Sequence, residues 1–318
     1  MKKLCCLLTV FALVFTTFGC NLSEKNGESA DGGFEYVSFE DSLGRNVSLK
    51  HQPKRVAILF SSFASVWMLA GGTVEVTVYE SVERGFAPKD AILVDTGAGK
   101  SINTELLLAS APDLVIASAD IPAQVACMEL LEKANIPCAY FKVESFSDYL
   151  RMLKVCTDIT GNKEALEQYG TRVEKEIEDL LSSTENLQSG KKILFIRAGS
   201  TQSSTKAKNA QNNFVCAMLA DLGCQNIADN AKILLDGLSV EEIIVQDPEI
   251  IFVSTMGDEA AAVANVEKML GSDAWSQISA VKNGKVHYLP KEMFQYKPNE
   301  KWGEAYKYLY SLIYDEKQ

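Results

Sequence analysis

Residues 103–118 and 239–254 align without a gap at an offset of 136 positions. The first segment reads Asn103-Thr104-Glu105-Leu106-Leu107-Leu108-Ala109-Ser110-Ala111-Pro112-Asp113-Leu114-Val115-Ile116-Ala117-Ser118. The second reads Ser239-Val240-Glu241-Glu242-Ile243-Ile244-Val245-Gln246-Asp247-Pro248-Glu249-Ile250-Ile251-Phe252-Val253-Ser254. Each opens on a helix-capping residue and carries Glu in the first turn, where the positive end of the helix dipole favours it. Pro112 and Pro248 then stop the helix, because proline lacks the N–H and crowds the preceding turn. An acidic residue follows, and a four-residue apolar run ends in serine. One helix–turn–strand unit would mean little; two in register predict two similar α/β halves. A chain of 318 residues, 47% of them hydrophobic, has the length and the apolar content for two cores.

Between the copies lies a candidate connecting helix, Asn162 to Asn186. Leu166, Tyr169, Val173, Ile177 and Leu180 recur at spacings of 3, 4, 4 and 3, one stripe of a helix, and charged residues fill the other side. Gly161-Asn162 provides a start and Gly190 a stop. About 22 helical residues would span about 33 Å, the width of a small domain.

The flanks read as alternating strands and helices. Residues 34–49 pattern as a hairpin around Asp41-Ser42-Leu43-Gly44-Arg45. Strands are expected at 55–60, 76–79, 138–143, 192–197 and 285–289. Helices are expected at 63–70, 123–134, 147–160, 214–222, 263–270 and 302–314. Residues 80–89, 198–212 and 290–299 read as loops. Alternation of this kind implies an α/β fold with mainly parallel sheets covered on both faces. The expected partition is 1–19 signal, 20–33 linker, 34–161 first lobe, 162–186 connecting helix and 187–318 second lobe.

At the amino terminus, Lys2-Lys3 precedes an apolar run, Leu4 to Phe18, too short for a spanning helix, which ends at Gly19-Cys20. This resembles a bacterial lipoprotein signal with lipid attached to the Cys20 sulfur, although Thr17 stands where leucine is usual. Plain secretion with cleavage nearby is the alternative. Loss of residues 1–19 removes Lys2 and Lys3 and takes the net charge from −11 to −13. That balance argues against nucleic acid and against a polybasic grip on lipid. Cys127, Cys138, Cys156, Cys216 and Cys224 remain, mostly in apolar contexts, with no CxxC and only two histidines in the chain, which disfavours a zinc site. GxSxG, GxxxxGK[ST], HExxH and a GxGxxG after a strand are all missing from the sequence, which counts against an enzyme.

Several further stretches carry a resemblance. They are Asp41-Ser42-Leu43-Gly44-Arg45, Pro53-Lys54-Arg55-Val56, Ile102-Asn103-Thr104-Glu105 through Pro112-Asp113-Leu114-Val115-Ile116, Met218-Leu219-Ala220-Asp221-Leu222-Gly223 and Ala280-Val281-Lys282-Asn283-Gly284-Lys285-Val286. In this order they resemble the substrate-binding lipoproteins of bacterial ABC importers for iron–siderophore, haem and vitamin B12 ligands. The segment 294–306 is similar to that of one subgroup described as binding iron compounds. The resemblance implies two lobes joined by one long helix, a ligand in the cleft between them, and a permease and its ATPase as partners. It also implies an extracytoplasmic, membrane-anchored monomer with no cofactor of its own and no directly bound metal. A ligand-sensing lipoprotein without a transport role is the reading from another class.

Ligands of open α/β sheets sit beyond the carboxyl ends of the strands. That rule selects Ser62, Phe63, Tyr79, Arg84, Arg197, Lys206, Lys208, Met256, Met293, Phe294 and Tyr296 as candidate ligand contacts. Guanidinium and ammonium groups suit the anionic oxygens of a ferric siderophore, and aromatic rings suit its flat organic parts. Haem is an alternative cargo, with Tyr79, Met256, Met293 or Tyr296 as axial donor, and cobalamin is another. His287 lies in a strand pattern and reads as a core or edge residue. Glu75 and Asp221 are the candidate acids for docking to the permease, a role that the resemblance implies.

Overall fold

A computed structural model describes residues 35–95, 101–184 and 190–315. The expected signal, the linker and Cys20 lie outside the described residues, as do the last residues of the expected connecting helix.

The described residues form, in chain order, the strands β1 (Val37–Glu40), β2 (Asn46–Leu49), β3 (Val56–Ile58), β4 (Val76–Thr77), β5 (Ile92–Leu93), β6 (Leu114–Ser118), β7 (Cys138–Phe141), β8 (Lys192–Ala198), β9 (Lys206–Ala207), β10 (Gln225–Asn226), β11 (Ile250–Thr255) and β12 (Val286–Tyr288). Strands β1 and β2 form the expected hairpin. The rest build two separate sheets, β5-β4-β3-β6-β7 and β10-β8-β11-β12, with β9 added on β8. Every pairing in these two sheets is parallel except β8 with β9. Strands β4-β3-β6-β7 and β10-β8-β11-β12 follow the same order, so the two sheets share one topology. The repeated segments supply the second of the two central strands in each.

The repeat holds in atomic detail. The Asn103 side chain accepts from Leu106 N, and the Ser239 side chain accepts from Glu242 N at the matching position. The residue before each proline, Ala111 or Asp247, takes a positive φ of 47°. The next acid ties the strands together: Asp113 accepts from the backbone of Lys54 and Arg55, and Glu249 from that of Lys192.

The connecting helix is present but not uniform. It runs as Lys163–Leu166, a π-turn over Glu167–Thr171, and Arg172–Thr184, with Asn162 capping its start. A π-turn leaves a backbone carbonyl misaligned, and the Tyr149 hydroxyl donates to Tyr169 O at 3.0 Å. Gly170 permits the close approach, since a Cβ there would lie 2.7 Å from Leu150 Cδ1. Val173 and Ile177 are buried and Leu166, Tyr169 and Leu180 pack beside them, which is the expected stripe.

Three segments read as loops contain regular structure. Tyr79–Glu83 and Lys291–Phe294 are short helices, and Lys206–Ala207 is the antiparallel strand β9. The reading missed them because two to five residues are too few to show a period. The expected helix at 123–134 is two pieces, Pro122–Val125 and Met128–Lys133.

One apolar cluster spans both halves and joins β3, β6, β8 and β11 residues to the connecting helix and the last helix, Trp302–Tyr314. Trp302, fully buried, meets Phe146 and Phe214 edge-on at ring distances of 6.3 and 5.6 Å. The five cysteines beyond Cys20 are buried free thiols. Burial pushes the thiols of Cys156 and Cys224 up to about 12.

Candidate functional site

The carboxyl ends of the strands in the two sheets carry a concentration of cations. Strand β8 alternates: Leu194 and Ile196 enter one core cluster, while Ile193 and Phe195 enter the cluster shared by both halves. Arg197 continues the second face at the end of the strand, where apolar packing gives way to polar groups. Strand β9 returns beside it, with Lys206 directly opposite Arg197. Lys208, two residues on, keeps the same side by the period of a strand. Like charges placed opposite each other across an antiparallel pair are unfavourable. Among the described residues, the Arg197 guanidinium and the Lys206 and Lys208 ammonium groups have no hydrogen-bonding or ion-pairing partner. Burial lowers the pKa of Arg197 and of Lys208, and Arg197 and Lys206 push Lys208 down further.

Sequence reasoning missed two members of this cluster. Lys297 follows the helix Lys291–Phe294, and its Nζ donates to Glu144 Oε1 at 2.9 Å. Glu144 lies just past β7, in the other half. Lys297 also stands over the Phe214 ring at 4.8 Å. Burial depresses its pKa, with Glu144 and Asp120 opposing and Arg197 adding to the depression. Lys142 pairs with Asp120 at 3.4 Å beside them. The two partners of this half-buried pair are 153 residues apart, and neither lies in a local motif that would flag it.

Arg84 forms a different centre. Its Nη1 donates to the hydroxyls of Ser61 and Ser62 at 3.1 and 3.2 Å. Its guanidinium stacks on Tyr296 at 3.7 Å and on Phe86 at 4.7 Å. Ser61 in turn donates to the Glu80 carboxylate. Burial lowers the pKa of Arg84, and Glu80 opposes that. Nearby, Asn299 Nδ2 donates to Ser62 O at 2.8 Å. The segment from Tyr296 to Trp302 therefore crosses from the second half and fastens to the first at several points.

The family model for periplasmic binding proteins matches residues 56–293. The chain belongs to the periplasmic binding protein family. This binding protein is 23% identical over 211 residues to the vitamin B12-binding protein of Pectobacterium carotovorum, covering 66% of this chain and 75% of that one. Staphylococcus aureus SirA, solved with staphyloferrin B, superposes with a TM-score of 0.67 at 20% identity, covering 89% of this chain and all of that one. S. aureus IsdE, solved with haem, gives a TM-score of 0.67 at 15% identity, covering 82% and 98% of the respective chains. At these identities the two structures share the fold with this binding protein.

The other expected contacts are scattered. Phe63 and Phe294 are core residues: Phe63 meets Phe60 and Phe141 edge-on, and Phe294 packs on Tyr308. An aromatic residue near a strand end can turn inward or outward, and the sequence alone does not separate the two. Ser62 is buried beneath Arg84. The Tyr296 ring lies against Arg84 and Lys291. Met293 packs against the shared cluster, Met256 is half-buried after β11, and Tyr79 is 43% exposed. His287 sits in β12, an edge strand of its sheet. Glu75 is exposed before β4 and pairs with Arg55 at 3.5 Å, while Asp221 accepts from the Tyr306 hydroxyl at 2.6 Å.

Proposed function

We propose that this protein is the extracytoplasmic substrate-binding component of an ABC importer and that its cargo is an anionic ferric chelate of the siderophore type. The observation that carries the reading is the Arg197–Lys206 pair, two cations held opposite each other with Lys208 beside them and no acceptor of their own among the described residues. Such a cluster favours an oxygen-rich anion, because guanidinium and ammonium donors bond carboxylate and catecholate oxygens with charge assistance. It repels a bare metal ion, so iron would arrive inside its chelator. The relatives are described with three kinds of cargo: staphyloferrin B for SirA, haem for IsdE, and vitamin B12 for the Pectobacterium protein. The cation set agrees best with the first.

In this reading residues 34–161 and 187–318 are the lobes, the helix over 162–186 joins them, and the cargo lies between the carboxyl ends of the two sheets. Arg197, Lys206 and Lys208 hold its anionic oxygens. Cys20 carries the lipid, and the Glu75 and Asp221 carboxylates meet the permease. Both acids lie toward the amino ends of their sheets, so docking there would leave the cation cluster uncovered.

The test is a titration of intrinsic tryptophan fluorescence with ferric citrate, haemin and cyanocobalamin. Saturable quenching by ferric citrate is expected. Arg197→Ala should weaken it about tenfold or more, the size of one lost charged hydrogen bond, without a large change in Tm. Saturable binding of cyanocobalamin or haemin with none of ferric citrate would overturn the assignment.

A further inference from the structure

The Glu144–Lys297 pair is placed where the proposed cargo would go. Its side chains come from opposite halves, and Lys297 is the more enclosed of the two, with 16% of its side chain exposed against 32% for Glu144. Glu144 follows β7, and its backbone N–H is fixed by Asp148 Oδ2 at 3.1 Å. Lys297 is fixed from the other side by the Phe214 ring and by the neighbouring Asn299 side chain on Ser62 O. Burial lowers the pKa of Arg197 and the charge of Glu144 opposes that, with no ion pair or hydrogen bond between the two among the described residues. Lys142 is matched to Asp120, and Glu144 is paired with Lys297.

A half-buried ion pair is a weak source of stability, since desolvation and solvent screening offset most of the attraction. A carboxylate paired with one cation, beside Arg197, Lys206 and Lys208 that have no partner among the described residues, suits a place-holder. The Glu144 side chain retains a third of its exposure, so it can swing to water without unfolding anything.

We propose that Glu144 is a resident counter-ion that stands in for the cargo's own carboxylate or equivalent oxygen, and that loading displaces it from Lys297. This inference rests on the reading of the cleft as an anion site. It adds Lys297 to the ligand-binding set and makes the strength of binding a competition between an internal and an external anion. It also narrows the cargo to anions with at least two charged groups. One group must replace Glu144, and another must engage the unpaired Arg197–Lys206–Lys208 side of the cluster. The loop bearing Glu144 and the segment bearing Lys297 come from different halves, so displacement would also release one tie between them.

The test compares the wild-type protein, Glu144→Gln and Lys297→Gln, each titrated with ferric citrate, with Tm recorded for each ligand-free variant. Glutamine is isosteric with glutamate and, although shorter than lysine, keeps an N–H donor in its place; in both variants the charge is removed. Displacement predicts opposite signs: Glu144→Gln binds about tenfold tighter and Lys297→Gln about tenfold weaker, each the size of one charged hydrogen bond. A merely structural tie would move both variants the same way, with matching losses of affinity and Tm, and that result would overturn the inference. If the wild type fails to bind ferric citrate but Glu144→Gln binds it, the place-holder is supported. If neither binds, the anion reading of the cleft falls together with it. If the wild type binds and Glu144→Gln binds no tighter, only the place-holder falls.

Discussion

At the residue scale, charge at the strand ends was partly legible and its pairing was not. Arg197, Lys206 and Lys208 could be chosen because they follow a strand pattern in a polar stretch, and β9 then brings them together. Glu144 and Lys297 could not, since their meaning depends on a contact between halves. Asp41 shows the same limit in the hairpin. Its motif was legible, but its function as an acceptor for Leu43 N, Arg45 N, Tyr140 N and the Arg45 guanidinium required the fold. His287 gives a pH prediction. Burial and then Lys285 hold its pKa below the ordinary value of 6.5. The unfolded chain therefore binds more protons between the lowered pKa and 6.5, so stability rises with pH through that window. Tm should fall on acidification from above 6.5 toward and below the lowered pKa, and His287→Gln should reduce that fall in matched thermal melts.

At the element scale, the gapless repeat carried most of the fold. Caps, proline stops and the acidic residue after each proline reappear at matching positions with matching hydrogen bonds. The backbone conformation at Ala111 was not legible, because alanine carries no sign of a left-handed turn. Its φ of 47° is unfavourable for an L-residue. Ala111→Gly should therefore raise unfolding stability by up to about 1 kcal/mol in denaturant titrations, the left-handed penalty less the entropy of glycine. Asp247, at the matching place, tolerates this region better than alanine does and should gain less. The π-turn in the connecting helix was hidden for a similar reason. The apolar spacing through Leu166, Tyr169 and Val173 fits an ordinary helix, and only the contacts of Gly170 and Tyr149 reveal the extra residue in the turn.

At the scale of the whole molecule, two sheets share one strand order, and the cations Arg197, Lys206, Lys208 and Lys297 of the second half reach Glu144 of the first through Lys297. The chain as a whole is acidic, with a net charge of −11, so these cations are a local departure from the general balance. The tie between Lys297 and Glu144, the stack of Arg84 on Tyr296 and the bond from Asn299 to Ser62 hold the halves together near that place. The central claim is that the cargo is an anionic ferric chelate. The most direct measurement is the absorbance spectrum and mass of the ligand released from protein purified from iron-replete cells. The account predicts a broad visible charge-transfer band and the mass of an oxygen-rich ferric chelate. A Soret band or a corrin spectrum would contradict it.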